Sequence, residues 1–153
     1  MLPVTTPLLT QLIPQKPPFV LISELHEVTD NHCTTVFNFD ETHVLCKDGK
    51  LTVAGLIENM AQSCAVKAGY ECYLVNKKVP LGFIGDIKDF RFTRLPKAGE
   101  AIRTEISIEH RIFDVTMILG KVCVGNEEIA GCKMKIFTEP EKEEVTEAYV
   151  SKQ

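Results

Sequence analysis

The chain has 153 residues, a formal net charge of −4, and 44% hydrophobic and 25% charged residues. These values are typical of a single soluble globular domain with its own core. They argue against nucleic acid as the main partner, because no long basic block is present, and against a membrane span, because no run approaches the roughly 20 apolar residues that a bilayer requires.

The N-terminal 18 residues predict an irregular or short helical lead-in, ended by Pro17 and Pro18. They lack the basic n-region of a signal peptide, so we expect a cytoplasmic protein. None of the six cysteines forms a C-x-x-C pair. We therefore expect free, largely buried thiols in a reducing compartment and no metal site.

Two strands are predicted before the middle of the chain. Residues 19–29 and 32–39 alternate apolar and polar side chains, and Asp30-Asn31 provides a turn between them. A polar loop follows over residues 40–51, with a Lys-Asp-Gly-Lys turn.

A long buried helix is predicted from residue 53 to about Asn76, with Thr52 as its N-cap. Gly69 is a candidate interruption of that helix. The apolar positions that recur at helical spacing are Val53, Leu56, Ile57, Met60, Ala61, Cys64, Ala65 and Ala68. Glu58 is the one acidic or basic side chain between residues 53 and 66. A carboxylate on a helix that is apolar almost all round is costly to bury, so it needs partners or a chemical role.

Four strands are predicted after the helix, at residues 81–93, 101–112, 113–124 and 127–138. The order of two strands, one buried helix and four strands predicts an α+β fold, in which a long antiparallel sheet wraps around a single helix. We expect one domain over residues 1–138 and a charged tail over residues 139–153.

Four segments carry a resemblance to a known family. They are Leu12–Leu21, Asp40–His43, Glu58–Gln62 and Leu81–Gly85, the last continued by Phe90–Phe92 and Pro96–Gly99. Over residues 10–138 the chain resembles the 3-hydroxyacyl-acyl-carrier-protein dehydratases of the hot-dog fold. It is similar in particular to the dehydratases of aryl-polyene pigment pathways, because Gln15-Lys16 replaces the usual His-Arg and Val53 replaces the usual Gly at the helix entrance.

The resemblance implies an acid–base pair. It makes His43 the base, since imidazole exchanges protons near neutral pH. It makes Glu58 the general acid, and an apolar setting favours the protonated carboxyl group that this role needs. Gln62 lies one turn after Glu58 and is expected to orient its carboxyl group or bind the substrate hydroxyl. The free amides at the helix start are expected to bind the thioester oxygen, and they belong to Val53, Ala54 and Gly55.

The implied reaction converts 3-hydroxyacyl thioesters on acyl carrier protein to trans-2-enoyl thioesters. It needs no metal or redox cofactor, because the pantetheine arm belongs to the substrate. The implied assembly is a homodimer or dimer-based oligomer, in which the partner is a second copy of this chain or a related hot-dog subunit. Basic residues that could receive the acidic carrier protein are Lys47, Lys50, Arg91, Arg94 and Lys97. Two alternatives stay open: a hot-dog acyl thioesterase, and a non-catalytic acyl-binding dimer.

Overall fold

The computed structural model describes residues 1–139, so the predicted charged tail lies almost wholly outside the described residues. The elements are a 3-10 helix at Leu8–Gln11, strands β1 (Glu24–Val28), β2 (His32–Asn38), β3 (Cys46–Lys47) and β4 (Lys50–Leu51), helix α1 (Val53–Leu74), and strands β5 (Gly82–Phe92), β6 (Ala101–Ile112), β7 (Val115–Val124) and β8 (Glu127–Thr138). No helix in this part of the chain is long and apolar enough to cross a membrane.

One large antiparallel sheet packs against the single long helix. The sheet has six strands in the order β1-β2-β6-β7-β8-β5, and β3 and β4 form a separate hairpin. The predicted alternation of β6 is confirmed, because Ile102, Thr104 and Ile106 are buried under α1 while Arg103 is exposed. The arrangement confirms the predicted α+β hot-dog fold.

Helix α1 begins and ends close to the predicted residues. The Thr52 hydroxyl caps it by accepting a hydrogen bond from the Gly55 N–H at 3.2 Å. The helix continues without a break through Gly69, so the expectation that Gly69 interrupts it was wrong. A Cβ at position 69 would lie 1.8 Å from the carbonyl oxygen of Leu12. Glycine is therefore needed there so that the N-terminal segment can lie against the helix.

The first strand is shorter than predicted. Strand β1 begins at Glu24 rather than at Phe19. Residues 19–23 are outside the sheet, and the side chains of α1 bind their backbone, as described below. The adjacent Leu21 and Ile22 are both buried, whereas successive side chains of a strand point to opposite faces of the sheet. The alternation predicted for residues 19–29 therefore does not extend to this segment.

A network of ion pairs fixes the connection between β5 and β6. Arg94 donates to both carboxylate oxygens of Glu100, at 2.9 and 3.1 Å, and it also contacts Glu127. The Lys97 N–H donates to Glu100 at 2.7 Å. The hydrogen bonds from Arg94 and from the Lys97 backbone lower the pKa of Glu100 to about 2.

The ion pair between Arg94 and Glu100 makes a pH-dependent contribution to the stability of the fold. The pKa of Glu100 is depressed in the folded state, so its contribution is complete above the unfolded value of 4.5 and is lost as the pH falls through about 2. We expect Glu100→Gln to lower the free energy of unfolding by about 1 kcal/mol at pH 7 and to have a clearly smaller effect at pH 2. Urea denaturation at both pH values checks this, with the exposed Glu109→Gln as control. An effect as large at pH 2 as at pH 7 would contradict it.

Candidate active site

The backbone of residues 19–21 is held against α1 by two side-chain amides. The Gln62 carbonyl accepts from the Leu21 N–H at 2.8 Å, and its amide nitrogen donates to the Phe19 carbonyl at 2.9 Å. Asn59 donates to the Leu21 carbonyl at 2.8 Å and accepts a hydrogen bond from Thr104 of β6. These bonds satisfy backbone groups that have no sheet partner, which explains why the segment is not a strand.

Glu58 contacts one of these two amide side chains. The amide nitrogen of Gln62 also donates to Oε2 of Glu58, at 3.3 Å. Gln62 is 1% exposed, whereas Glu58 is half-buried. A buried amide that is fixed by two backbone bonds can therefore orient the Glu58 carboxyl group, which is the first of the two roles expected for Gln62.

Glu58 lines a groove of about 410 Å³ along one face of α1. The helix contributes small residues to this groove at one-turn spacing, namely Ala61, Ala65 and Ala68. Apolar side chains of the sheet, including Ile84 and Ile136, line it as well. The part of the groove next to Glu58 has small and apolar walls, which suits the binding of an acyl chain beside this carboxyl group.

Cys64 also lines the groove, but it is a poor nucleophile. Burial raises the pKa of the Cys64 thiol to about 11, and it raises that of Cys33 to about 12. A thiol that is protonated at neutral pH does not attack a thioester readily. The thiols of Cys33, Cys46, Cys64, Cys123 and Cys132 are free, and all of these except Cys46 are buried.

His43 lies outside the groove and is bonded through both ring nitrogens. The Leu45 N–H donates to Nδ1 at 3.1 Å, so Nε2 carries the proton and donates to the Val20 carbonyl at 3.0 Å. The ring also packs edge-on against Phe37, with centroids 5.3 Å apart. The structure therefore does not bring His43 into the groove that Glu58 of the same chain lines.

The start of α1 offers fewer free amides than the sequence suggests. The Gly55 N–H is used by the Thr52 cap, and Leu51 packs where a Cβ of Gly55 would lie, at 2.6 Å. Val53 is half-buried and Ala54 is exposed. Their N–H groups occupy the first two positions of the helix, which have no intrahelical acceptor.

One family model matches most of the chain. A family model described as ApeP dehydratase, of the ApeP-like family, matches residues 7–147. The chain belongs to the ApeP-like dehydratase family. The predicted resemblance to this branch of hot-dog dehydratases is confirmed. The search of curated proteins gave no match.

Solved structures share the fold of this ApeP-like protein at low sequence identity. The dehydratase heterocomplex ApeI:P from Xenorhabdus doucetiae is 19% identical, with a TM-score of 0.79 over 92% of this chain and 95% of that one. The uncharacterised protein PH1136 from Pyrococcus horikoshii is 13% identical, with a TM-score of 0.65 over 92% and 97%. A hypothetical thioesterase with coenzyme A from Streptococcus pneumoniae is 12% identical, with a TM-score of 0.59 over 78% and 87%.

Charged residues other than Glu58 also line the groove of the ApeP-like chain, and they are not among the site residues predicted from the sequence. Lys67 is 1% exposed, donates to the Asp30 carbonyl at 3.1 Å and forms an ion pair with Glu71. Arg111 donates to the same carbonyl at 3.2 Å. The signal was available, because Lys67 and Glu71 are spaced i, i+4 on the apolar helix. Among residues 1–139, no group of three or more His, Cys, Asp or Glu side chains is placed to hold a metal ion.

Proposed function

We propose that this ApeP-like protein dehydrates 3-hydroxyacyl thioesters carried on acyl carrier protein to trans-2-enoyl thioesters. The observation that supports this most is the Glu58 carboxyl group, which the buried Gln62 orients at a groove whose neighbouring walls are small and apolar. Glu58 gives its proton to the 3-hydroxyl as the C3–O bond breaks, and a base removes a proton from C2. The products are water and the enoyl thioester. The pantetheine arm belongs to the substrate, and this step needs no metal or redox cofactor.

The proposed base is His43 of a partner subunit, in a homodimer or in a complex with a related hot-dog subunit. In a single chain the groove has no histidine among its described lining residues. The ApeI:P structure is, by its description, a heterocomplex, which supports pairing with a related chain. To accept a proton, the His43 ring must release the Leu45 N–H from Nδ1.

Mixing two inactive variants tests where the base comes from. If His43 of one copy faces Glu58 of another, then a mixture of His43→Ala and Glu58→Gln chains regains dehydratase activity after subunit exchange, because some sites receive both intact residues. A wild type that is active alone but shows no recovery in the mixture would contradict this arrangement. A wild type that becomes active only with a related subunit would assign the base to that subunit.

The thioester oxygen is proposed to bind at the start of α1. The N–H groups of Val53 and Ala54 and the positive end of the helix dipole can stabilise the negative charge that develops there. Gly55 supports this site indirectly, because its N–H completes the cap and its missing side chain makes room for Leu51.

Three of the five basic residues remain suited to receiving the acidic carrier protein. Arg94 and Arg91 are engaged with glutamates, Arg94 with Glu100 and Glu127, and Arg91 with Glu128. The other three lie close together before the helix entrance, since Lys47 pairs with Lys50 across the β3–β4 hairpin and Lys50 bridges to Lys97.

Charge reversal on this hairpin should weaken binding of the carrier. We expect Lys47→Glu with Lys50→Glu to raise the KM for a carrier-bound substrate about tenfold at low salt, with kcat unchanged, because each exposed charge pair contributes up to about 1 kcal/mol. The KM for the same acyl group on free pantetheine should not change. The matched control is Lys77→Glu with Lys78→Glu, beyond the other end of α1. Equal effects of the two double variants would contradict the proposed docking face.

A thioesterase is the second candidate, favoured by one observation. The described residues that line the groove include the carboxylates of Glu58 and Glu71 but no histidine, and a carboxylate alone can activate water for thioester hydrolysis. Incubation with a 3-hydroxyacyl carrier thioester separates the candidates. A dehydratase raises the ultraviolet absorbance of the enoyl product, whereas a thioesterase releases a thiol that a thiol reagent detects. Binding of the acyl group without either signal would indicate a non-catalytic acyl-binding protein.

A further inference from the structure

Gln15 carries an amide group that the fold itself does not use. Its Oε1 atom is buried and has no hydrogen-bond partner within residues 1–139. A buried acceptor without a partner costs about 1–3 kcal/mol, so native structures rarely keep one without a reason. The side chain lines the same groove as Glu58.

The backbone turns back immediately after Gln15. The Phe19 N–H donates to the Lys16 carbonyl at 2.9 Å, which closes a turn over residues 16–19. Such a turn brings its ends within about 7 Å of each other. The Phe19 carbonyl is bound by the same Gln62 amide nitrogen that contacts Glu58. Gln15 directly precedes this turn, and it shares the groove with the Glu58 carboxyl group that Gln62 orients.

The proposed reaction needs a hydrogen-bond acceptor in this region. When Glu58 donates its proton to the oxygen of the 3-hydroxyl, the hydrogen of that hydroxyl still has to be accepted by another group. Gln62 is poorly suited, because its carbonyl already accepts from Leu21. Ala61 and Ala65 on the neighbouring helix face offer no side-chain acceptor, and the carboxylate of Glu71, which also lines the groove, is paired with Lys67. Gln15 has the required oxygen, and rotation about its last side-chain torsion, which is broad for glutamine, can turn that oxygen into the groove.

We infer that Gln15 is the residue that accepts a hydrogen bond from the 3-hydroxyl of the substrate. The inference rests on the proposed dehydratase function. The leaving hydroxyl becomes water in the transition state, so its hydrogen becomes more acidic and its bond to Gln15 strengthens there. Gln15 therefore orients the hydroxyl toward Glu58 and favours its departure.

The test is Gln15→Met, which keeps the length of the side chain and removes its polar atoms. We expect kcat/KM for a 3-hydroxyacyl carrier thioester to fall about tenfold, since one neutral hydrogen bond is lost. The inhibition constant of the saturated acyl thioester, which lacks the 3-hydroxyl, should not change. The melting temperature should stay the same or rise, because a buried acceptor without a partner is removed. The matched control is Gln11→Met, at an exposed position of the 3-10 helix.

Three results would overturn the role of Gln15. They are an unchanged kcat/KM, an equal loss of affinity for the saturated analogue, and a lower melting temperature, which would mean that Gln15 has a structural role. If the wild type binds both ligands but forms no enoyl product, the proposed dehydration fails. Calorimetry then tests Gln15 by itself, by comparing the affinities for the 3-hydroxyacyl thioester and for the saturated thioester. If Gln15→Met abolishes a preference for the 3-hydroxyacyl thioester, the contact is supported. If the preference persists in Gln15→Met, the contact is contradicted.

Discussion

Replacing Glu58 with glutamine is expected to lower kcat for dehydration by about 10²–10⁴-fold, which is the usual contribution of a positioned general acid. Glutamine can keep the contact with the Gln62 side chain, but it has no proton to give to the departing hydroxyl. The KM should change little, because the apolar walls of the groove remain intact. The measurement is the ultraviolet absorbance of the enoyl product from a carrier-bound 3-hydroxyacyl thioester.

The matched control for Glu58→Gln is Glu109→Gln, which makes the same substitution at an exposed position of β6. It should keep wild-type kcat. Circular dichroism of both variants checks that the helix is retained. Equal rates for wild type and Glu58→Gln would show that Glu58 is not the acid. A loss of thiol release in a protein that forms no enoyl product would instead assign Glu58 to thioester hydrolysis.

Features that depend on local periodicity could be predicted from the sequence. The helix shows its burial through small and apolar residues on nearly every face, and Thr52 marks its start. Strands such as β6 show the burial of one face through the alternation of apolar and polar residues. Glu58 stood out for the same reason, since a carboxylate in an apolar helix breaks the local pattern.

Features that depend on contacts between distant residues could not be predicted in this way. Residues 19–22 are all apolar, which is compatible with a strand, and only the hydrogen bonds of Asn59 and Gln62 show that the helix binds their backbone. The bonds of His43 to Val20 and Leu45 are equally invisible in the sequence, because a polar loop does not specify where its histidine packs. The sequence could therefore indicate the proposed acid, Glu58, more clearly than the proposed base, His43.

Gly69→Ala gives the sharpest test of how the N-terminal segment is held. Helix propensity alone predicts that alanine stabilises an internal helical position by about 1 kcal/mol. The structure predicts the opposite sign, because the added Cβ would lie 1.8 Å from the Leu12 carbonyl oxygen. Backbone has to move to relieve this contact, and both Leu12 and Gly69 are buried. We expect a net loss of about 2–3 kcal/mol and a fall in melting temperature of about 5–10 °C, measured by calorimetry.

The neighbouring Ala68→Gly separates the effect of helix propensity from the effect of the contact with Leu12. It lies in the same turn of α1, and it should cost only the propensity term of about 1 kcal/mol. If Gly69→Ala is more stable than wild type, the N-terminal segment does not lie against the helix as the structure has it. If it is less stable than Ala68→Gly, the close approach of Leu12 is supported. Dehydratase activity of Gly69→Ala should then fall together with its stability. The segment that starts at Leu12 continues through Gln15 to residues 19–21, and the bonds of residues 19–21 to Gln62 help to orient the Glu58 carboxyl group.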